Sequence, residues 1–174
     1  VHEAYPGHHL QFQIAGRNPD PVHKWQSNPM MYEGWALYCE EMMYDAGLYG
    51  EENPSRWLRI IKGIRFRAAR IVADIKLHTG QFTYNECVRW MIDVLGIDTD
   101  SDRKFVETEV RRYTLEPTVQ MSYLMGKREL MNLRQAAMDK QGDAFSLKDF
   151  HDALLAEGSV PPTLMWDVLG LKNQ

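Results

Sequence analysis

Cysteine is scarce in this chain of 174 residues, where Cys39 and Cys87 lie far apart, each inside an apolar stretch. Two such thiols form neither a disulfide framework nor a four-cysteine zinc site, and both read as buried. A basic excess is missing as well: 20 Lys and Arg stand against 24 Asp and Glu, a net charge of −4. No global positive field therefore draws nucleic acid or an anionic membrane. No apolar run approaches the ~20 residues of a membrane span, and no signal-peptide pattern is present. These absences leave the compartment open, cytoplasmic or exported. A leading methionine is also absent, and the strongest chemical signal begins at residue 2. The expectation is a C-terminal fragment of a longer chain, with the missing N-terminal part as a partner in any cleft. With 44% hydrophobic and 25% charged residues, the composition is that of a globular domain able to bury a core without staples.

What is present is helical periodicity between Gly and Pro breaks, with no convincing strand alternation, internal repeat or low-complexity tract. Gly16 to Pro21 reads as a loop because it carries two prolines two residues apart. Helices are expected from Pro29 to about Ala46, from Pro54 to about Thr79, and from Tyr84 to Leu95, the last with a Thr83/Glu86 capping box and Gly96 beyond its end. Further helices should end near Leu115, run from Thr118 to about Asp139, and span Ser146 to Ala156, with a short one after Pro161-Pro162. The expected fold class is all-α, a multi-helix globular domain occupying residues 1–174.

The segment Val1-His2-Glu3-Ala4-Tyr5-Pro6-Gly7-His8-His9 sets a carboxylate beside an imidazole, with two more imidazoles shortly after. Those are the parts of a zinc hydrolase, in which neutral imidazoles bind the ion and the carboxylate takes a proton from water. The usual zinc-peptidase helix spaces its histidines i,i+4. Here that position is Pro6, and the actual spacing of i,i+6 or i,i+7 is a rise of ~9 to 10.5 Å on a regular helix, too far for one ion. Pro6 and Gly7 make a bulge the expected outcome, and two looped-out residues would return His8 to the i+4 direction. His8 is favoured over His9 as the second ligand. Exposed or packed histidines without a metal are the alternative.

Support for a metal comes from Tyr32-Glu33-Gly34-Trp35-Ala36-Leu37-Tyr38. A Glu33 carboxylate among Trp35, Leu37, Tyr38, Met42 and Met43 needs a cation or a donor, and a third zinc ligand would meet that need. The plain alternative is an exposed first-turn Glu favoured by the helix dipole. Glu40, two turns later on the same face, is either an acceptor for a ligand histidine or solvated.

His-Glu-Ala-Tyr-Pro-Gly-His-His-Leu-Gln at residues 2–11, Tyr-Glu-Gly-Trp-Ala-Leu-Tyr at 32–38, then Arg70, Asp74, His78, Arg112-Tyr113, Pro117, Gln120, Tyr123 and Gly126 resemble the C-terminal part of the bacterial domain of unknown function 885 family. The His-Glu and Glu-Gly-Trp-Ala pair is also similar to the gluzincin metallopeptidases, where an Asn-Glu-Gly-Phe-Ala segment supplies the third ligand. The resemblance implies a bacterial protein and a zinc-dependent peptidase acting on a peptide substrate, with His2, His8 and Glu33 as Zn2+ ligands and Glu3 as general base. The Pro6-Gly7 insertion departs from the ordinary gluzincin motif. The competing class is a metal-free helical interaction module or inactive peptidase relative. A di-iron bundle is set aside because no Glu-x-x-His occurs.

The longest expected helix carries Arg56, Arg59, Gly63, Arg67, Arg70, Asp74 and His78 on one face and Trp57, Ile60, Ile61, Ile64, Ala68, Ile71, Val72 and Ile75 on the other. The polar face reads as a solvated stripe with i,i+4 pairs. The resemblance adds a second reading, His78 as a donor to a substrate oxygen with Asp74 fixing its tautomer. Tyr123 and Tyr113 are the candidate phenols for stabilising an oxyanion. His23 and His151 read as surface residues.

Overall fold

The structure, a computed structural model, describes residues 1–50 and 53–172, and every regular element among them is helical, as the periodicity requires. The helices are α1 (His8–Ala15), α2 (Pro21–Trp25), α3 (Pro29–Asp45), α4 (Pro54–His78), α5 (Tyr84–Leu95), α6 (Asp100–Tyr113), α7 (Ser122–Gln141), α8 (Leu147–Ala156) and α9 (Pro162–Val168). Their starts follow local chemistry. Asn28, Asn53, Thr83, Thr99 and Ser146 each accept a backbone N–H of the first turn, and Thr83 with Glu86 completes the capping box.

Residues 1–174 were expected to form one domain; the chain divides into two compact units, Val1–Glu52 with Ser122–Gln174, and Asn53–Met121. The second unit is an insertion between α3 and α7 of the first.

In the first unit α3 and α7 form the central pair. A Cβ on Gly34 would lie 2.5 Å from the Gly126 carbonyl carbon, and one on Gly126 would lie 2.0 Å from the Met30 oxygen. The two backbones therefore touch, which only glycine permits. Around this contact Met31, Trp35, Tyr38, Leu130, Leu133, Ala137, Phe150, Leu154 and Met165 bury a continuous core. Lys127 of α7 pairs with Glu41 of α3, closing the same seam with a mostly buried ion pair.

The second unit packs α4, α5 and α6 around Ala69, Ala73, Cys87, Val88, Met91, Val106, Val110 and Tyr113. Here α4 departs in part from the expected polarity: Ile60 is buried and Arg59 exposed as expected, but further along the faces exchange. Arg70 and Asp74 are only 6% and 2% exposed, whereas Ile61 and Ile75 of the apolar stripe are 42% and 44% exposed. The polar face is packed because it has partners: Arg70 donates to the Gln120 side chain at 3.1 Å, and Asp74 accepts from the Thr118 backbone N–H at 2.9 Å. Thr118 sits in the left-handed region at φ 72°, so the helix expected from Thr118 starts later, with a short 3-10 turn at Val119–Met121 before α7.

Candidate metal centre

The first seven residues form a bend whose backbone bonds skip two residues more than an α-helix does. The N–H groups of Gly7, His8 and His9 donate to the carbonyls of Val1, His2 and Glu3 at 3.1, 2.9 and 3.1 Å, each from i to i−6. Pro6, which has no N–H to place, lies inside the loop, and a Cβ on Gly7 would stand 1.7 Å from the His2 oxygen. The loop is fixed from below, since the Trp35 indole N–H donates to the Pro6 carbonyl at 2.9 Å. The carbonyls of His2, Glu3 and Ala4 thus take the N–H groups of His8, His9 and Leu10, the first turn of α1, which has no side-chain cap. The two looped-out residues bring His8 to the position that i+4 would occupy on a regular helix.

The two rings meet edge to face, their centroids 4.9 Å apart. His2 Nε2 lies 3.4 Å and His8 Nε2 3.3 Å from the same oxygen, Glu33 Oε2. Donors about 2.0–2.1 Å from a tetrahedral zinc stand ~3.3 Å apart, and these two separations match that length. Glu33 Oε2 and His8 Nδ1 are buried and have no hydrogen-bond partner. A buried, unsatisfied carboxylate oxygen facing two imidazole nitrogens is a donor set that fits a divalent cation. Glu33 belongs to the second turn of α3 rather than the first, which holds no acidic residue, so the exposed first-turn reading does not apply.

Other side chains converge on this point. His2 Nδ1 is 2.8 Å from Glu40 Oε1, two turns along α3 from Glu33. That contact turns the opposite ring nitrogen toward Glu33. The Tyr123 ring stacks over His2 at 6.5 Å. Burial pushes the Glu33 carboxyl up, but the close approach of His2, His8 and Tyr123, with the charge of His8, holds it down to about 2. Glu33 is thus an anion throughout the neutral range. Glu3 is exposed, and one of its oxygens, with one nitrogen each of His2 and His8, forms a set mutually within 4.8 Å. His9 is exposed.

His2, Glu3, His8, Glu33 and Tyr123 thus belong to one unit and one cluster. His78 and Tyr113 belong to the other unit. There Tyr113 is 0% exposed and its hydroxyl donates to Glu109 at 2.9 Å, while burial, ahead of the opposing charge of Arg70, raises the phenol well above its ordinary range. His78 Nε2 is 3.0 Å from the Tyr113 carbonyl oxygen and 3.5 Å from Asp74 Oδ1. His151, expected on the surface, is instead partly buried, 2.9 Å from the Tyr38 hydroxyl, and burial followed by the charge of Arg134 lowers it to about 4. His23 is half-buried and pairs with Glu157 at 3.0 Å.

Pattern reading did not single out Trp35 as the anchor of Pro6, nor Phe12 and Tyr32, whose rings flank His8 at 5.9 Å each. The i,i+4 spacing of His8 and Phe12 is the signal that could have found the second group.

A profile of the family described as "Bacterial protein of unknown function (DUF885)" matches residues 1–169. Among solved structures the chain is similar to a "putative lipoprotein" from Colwellia psychrerythraea, with a TM-score of 0.88 and 31% identity over 97% of this chain and 28% of that one. It is likewise similar to a "putative lipoprotein of unknown function" from Shewanella oneidensis, with a TM-score of 0.84 and 31% identity over 97% of this chain and 30% of that one. The chain therefore spans less than a third of the length of these relatives. No curated protein matches it.

Proposed function

Since the chain belongs to the DUF885 family of bacterial proteins of unknown function, we propose that His2, His8 and Glu33 hold a zinc ion and that the protein is a gluzincin-like peptidase. One observation carries the reading: two imidazole nitrogens stand 3.4 and 3.3 Å, the donor spacing of a tetrahedral zinc, from a buried carboxylate oxygen that has no hydrogen bond. Zinc bound by such ligands acidifies water and polarises a carbonyl.

The chain's own residues supply the rest. Glu3 is exposed and adjoins the two imidazoles, so its carboxylate can take a proton from an attacking water and return it to the leaving amine. Tyr123, stacked on His2 and close to Glu33, holds a phenolic donor at the edge of the cluster, suited to a developing oxyanion. Tyr113, 0% exposed and with its hydroxyl donated to Glu109, has no free phenol for a substrate, so Tyr123 is the phenol this reading keeps. The peptide substrate and a contribution from the rest of a longer chain belong to the same proposal. The relatives' description as putative lipoproteins favours export over a cytoplasmic location. No described helix is long and apolar enough to cross a membrane.

The test is metal content by plasma mass spectrometry together with peptide hydrolysis, on the intact protein. About one zinc per chain, lost in His2→Ala and in Glu33→Ala, supports the site. Glu3→Gln should keep the zinc and lose ~10² to 10⁴ in rate as a general base would. Loss of zinc in Glu3→Gln would make Glu3 a ligand instead. A wild type that takes up no zinc from excess metal would leave the metal-free interaction module as the better reading.

A further inference from the structure

Beside the donor cluster three rings pack together. Phe12, one turn beyond His8 on α1, lies nearly parallel to the His8 ring at 5.9 Å and 14°. Tyr32, the residue before Glu33, meets His8 at 5.9 Å and 67°, and Phe12 at 5.9 Å and 53°. Both supporting rings are therefore held by residues that build the candidate metal centre. Tyr32 is fixed further by a hydrogen bond to the Ser27 side chain.

Phe12 itself is 48% exposed. A single exposed aromatic residue needs no explanation in general. What distinguishes Phe12 is its position: a half-exposed ring stacked on His8, one of the imidazoles of the candidate centre, and braced by Tyr32. Pockets that fix a ligand combine an apolar wall with a few placed polar groups. An aromatic ring offered to this wall can stack offset or edge-on while its neighbouring carbonyl reaches the donor cluster.

We propose that Phe12, backed by Tyr32 and His8, is a specificity wall that receives an apolar, preferentially aromatic, side chain of the substrate residue adjoining the scissile bond. The inference rests on the zinc-peptidase reading above and names the substrate class for it. Phe12 is a specificity residue and does no proton transfer, so its removal should leave the metal in place and alter only discrimination.

The experiment uses the intact protein loaded with zinc and two chelating probes that differ by one benzyl group, glycine hydroxamate and phenylalanine hydroxamate, titrated calorimetrically. Zinc content is measured on each sample. The wild type should bind the phenylalanine probe about tenfold more tightly, the order of discrimination an apolar pocket gives. In Phe12→Ala the difference should fall to about twofold or less, and in Phe12→Leu to an intermediate value, with zinc near one per chain in both. Hydrolysis of paired peptides carrying Phe or Ala beside the scissile bond should follow the same order. Equal binding of the two probes by the wild type, or an undiminished difference in both variants with zinc retained, overturns the wall and leaves the metal reading standing. A wild type without zinc overturns both.

Discussion

His2 owes its orientation to Glu40, whose carboxylate sits 2.8 Å from Nδ1 and leaves Nε2 facing Glu33. Partners of this kind typically set metal affinity by ~10- to 100-fold, so Glu40→Gln should weaken zinc binding by about that factor without unfolding the chain, as competition with a chromogenic chelator would measure. An unchanged affinity would mean that the loop alone orients the ring. His151 offers a test of a different kind, because burial and then the Arg134 charge lower it to about 4 from an ordinary 6.5. Between those values the unfolded chain binds a proton that the folded chain refuses, so stability is complete above 6.5 and declines as pH falls toward 4. Discounted for the partial solvent access of the ring, the loss is about 1–2 kcal/mol. Urea midpoints at pH 7.5 and 4.5 should therefore fall further for the wild type than for His151→Gln, which has no charge to gain. At this scale the sequence is legible where chemistry is carried by a local string: the Pro6-Gly7 loop, and the turning of His8 toward Glu33, follow from a missing N–H and a missing side chain. His151 was misread because its burial depends on Trp35 and Tyr38, more than a hundred residues away.

Helices α3 and α7 set the site because their backbones touch at Gly34 and Gly126, which brings Tyr123 over the His2 ring that faces Glu33. A methyl group on Gly126 would meet the Met30 oxygen at 2.0 Å, a backbone atom with nowhere to retreat. Gly126→Ala should therefore cost about 2–4 kcal/mol, at or above the usual range for overpacking, in denaturant unfolding followed by circular dichroism. Zinc affinity should fall with it, since Tyr123 and Glu33 ride on the separated helices. The stripe Gly126, Leu130, Leu133 and Ala137 could be read from period alone, and the structure buries all four. The faces of α4 could not, because its polar side is satisfied by Gln120 and Thr118, residues some fifty positions on that no local pattern announces. Helix α2 was hidden for another reason: Asp20 caps it and Pro21 stands at its first position, a place where proline is tolerated but where a proline pair reads first as a loop.

At the scale of the molecule, the candidate centre draws on one of two compact units, and that unit is assembled from both ends of the chain. His2 and His8 come from the N-terminal loop, Glu33 and Glu40 from α3, and Tyr123 from α7, all in Val1–Glu52 and Ser122–Gln174. A metal that binds the folded state alone stabilises it by RT ln(1 + [L]/Kd), about 2.7 kcal/mol at a hundredfold excess over Kd. Because Asn53–Met121 has its own core of Val88, Met91, Val106 and Val110 and supplies none of these side chains, that stabilisation should be local. Hydrogen exchange of the intact protein with and without zinc should show slowed amides in α1, α3 and the start of α7, and little change in α4 to α6. Equal slowing in both units would instead mean that they unfold as one cooperative body, in which case zinc should raise a single thermal transition. Slowing confined to α4 to α6 would place the ion on the other unit and remove His2, His8 and Glu33 as its ligands.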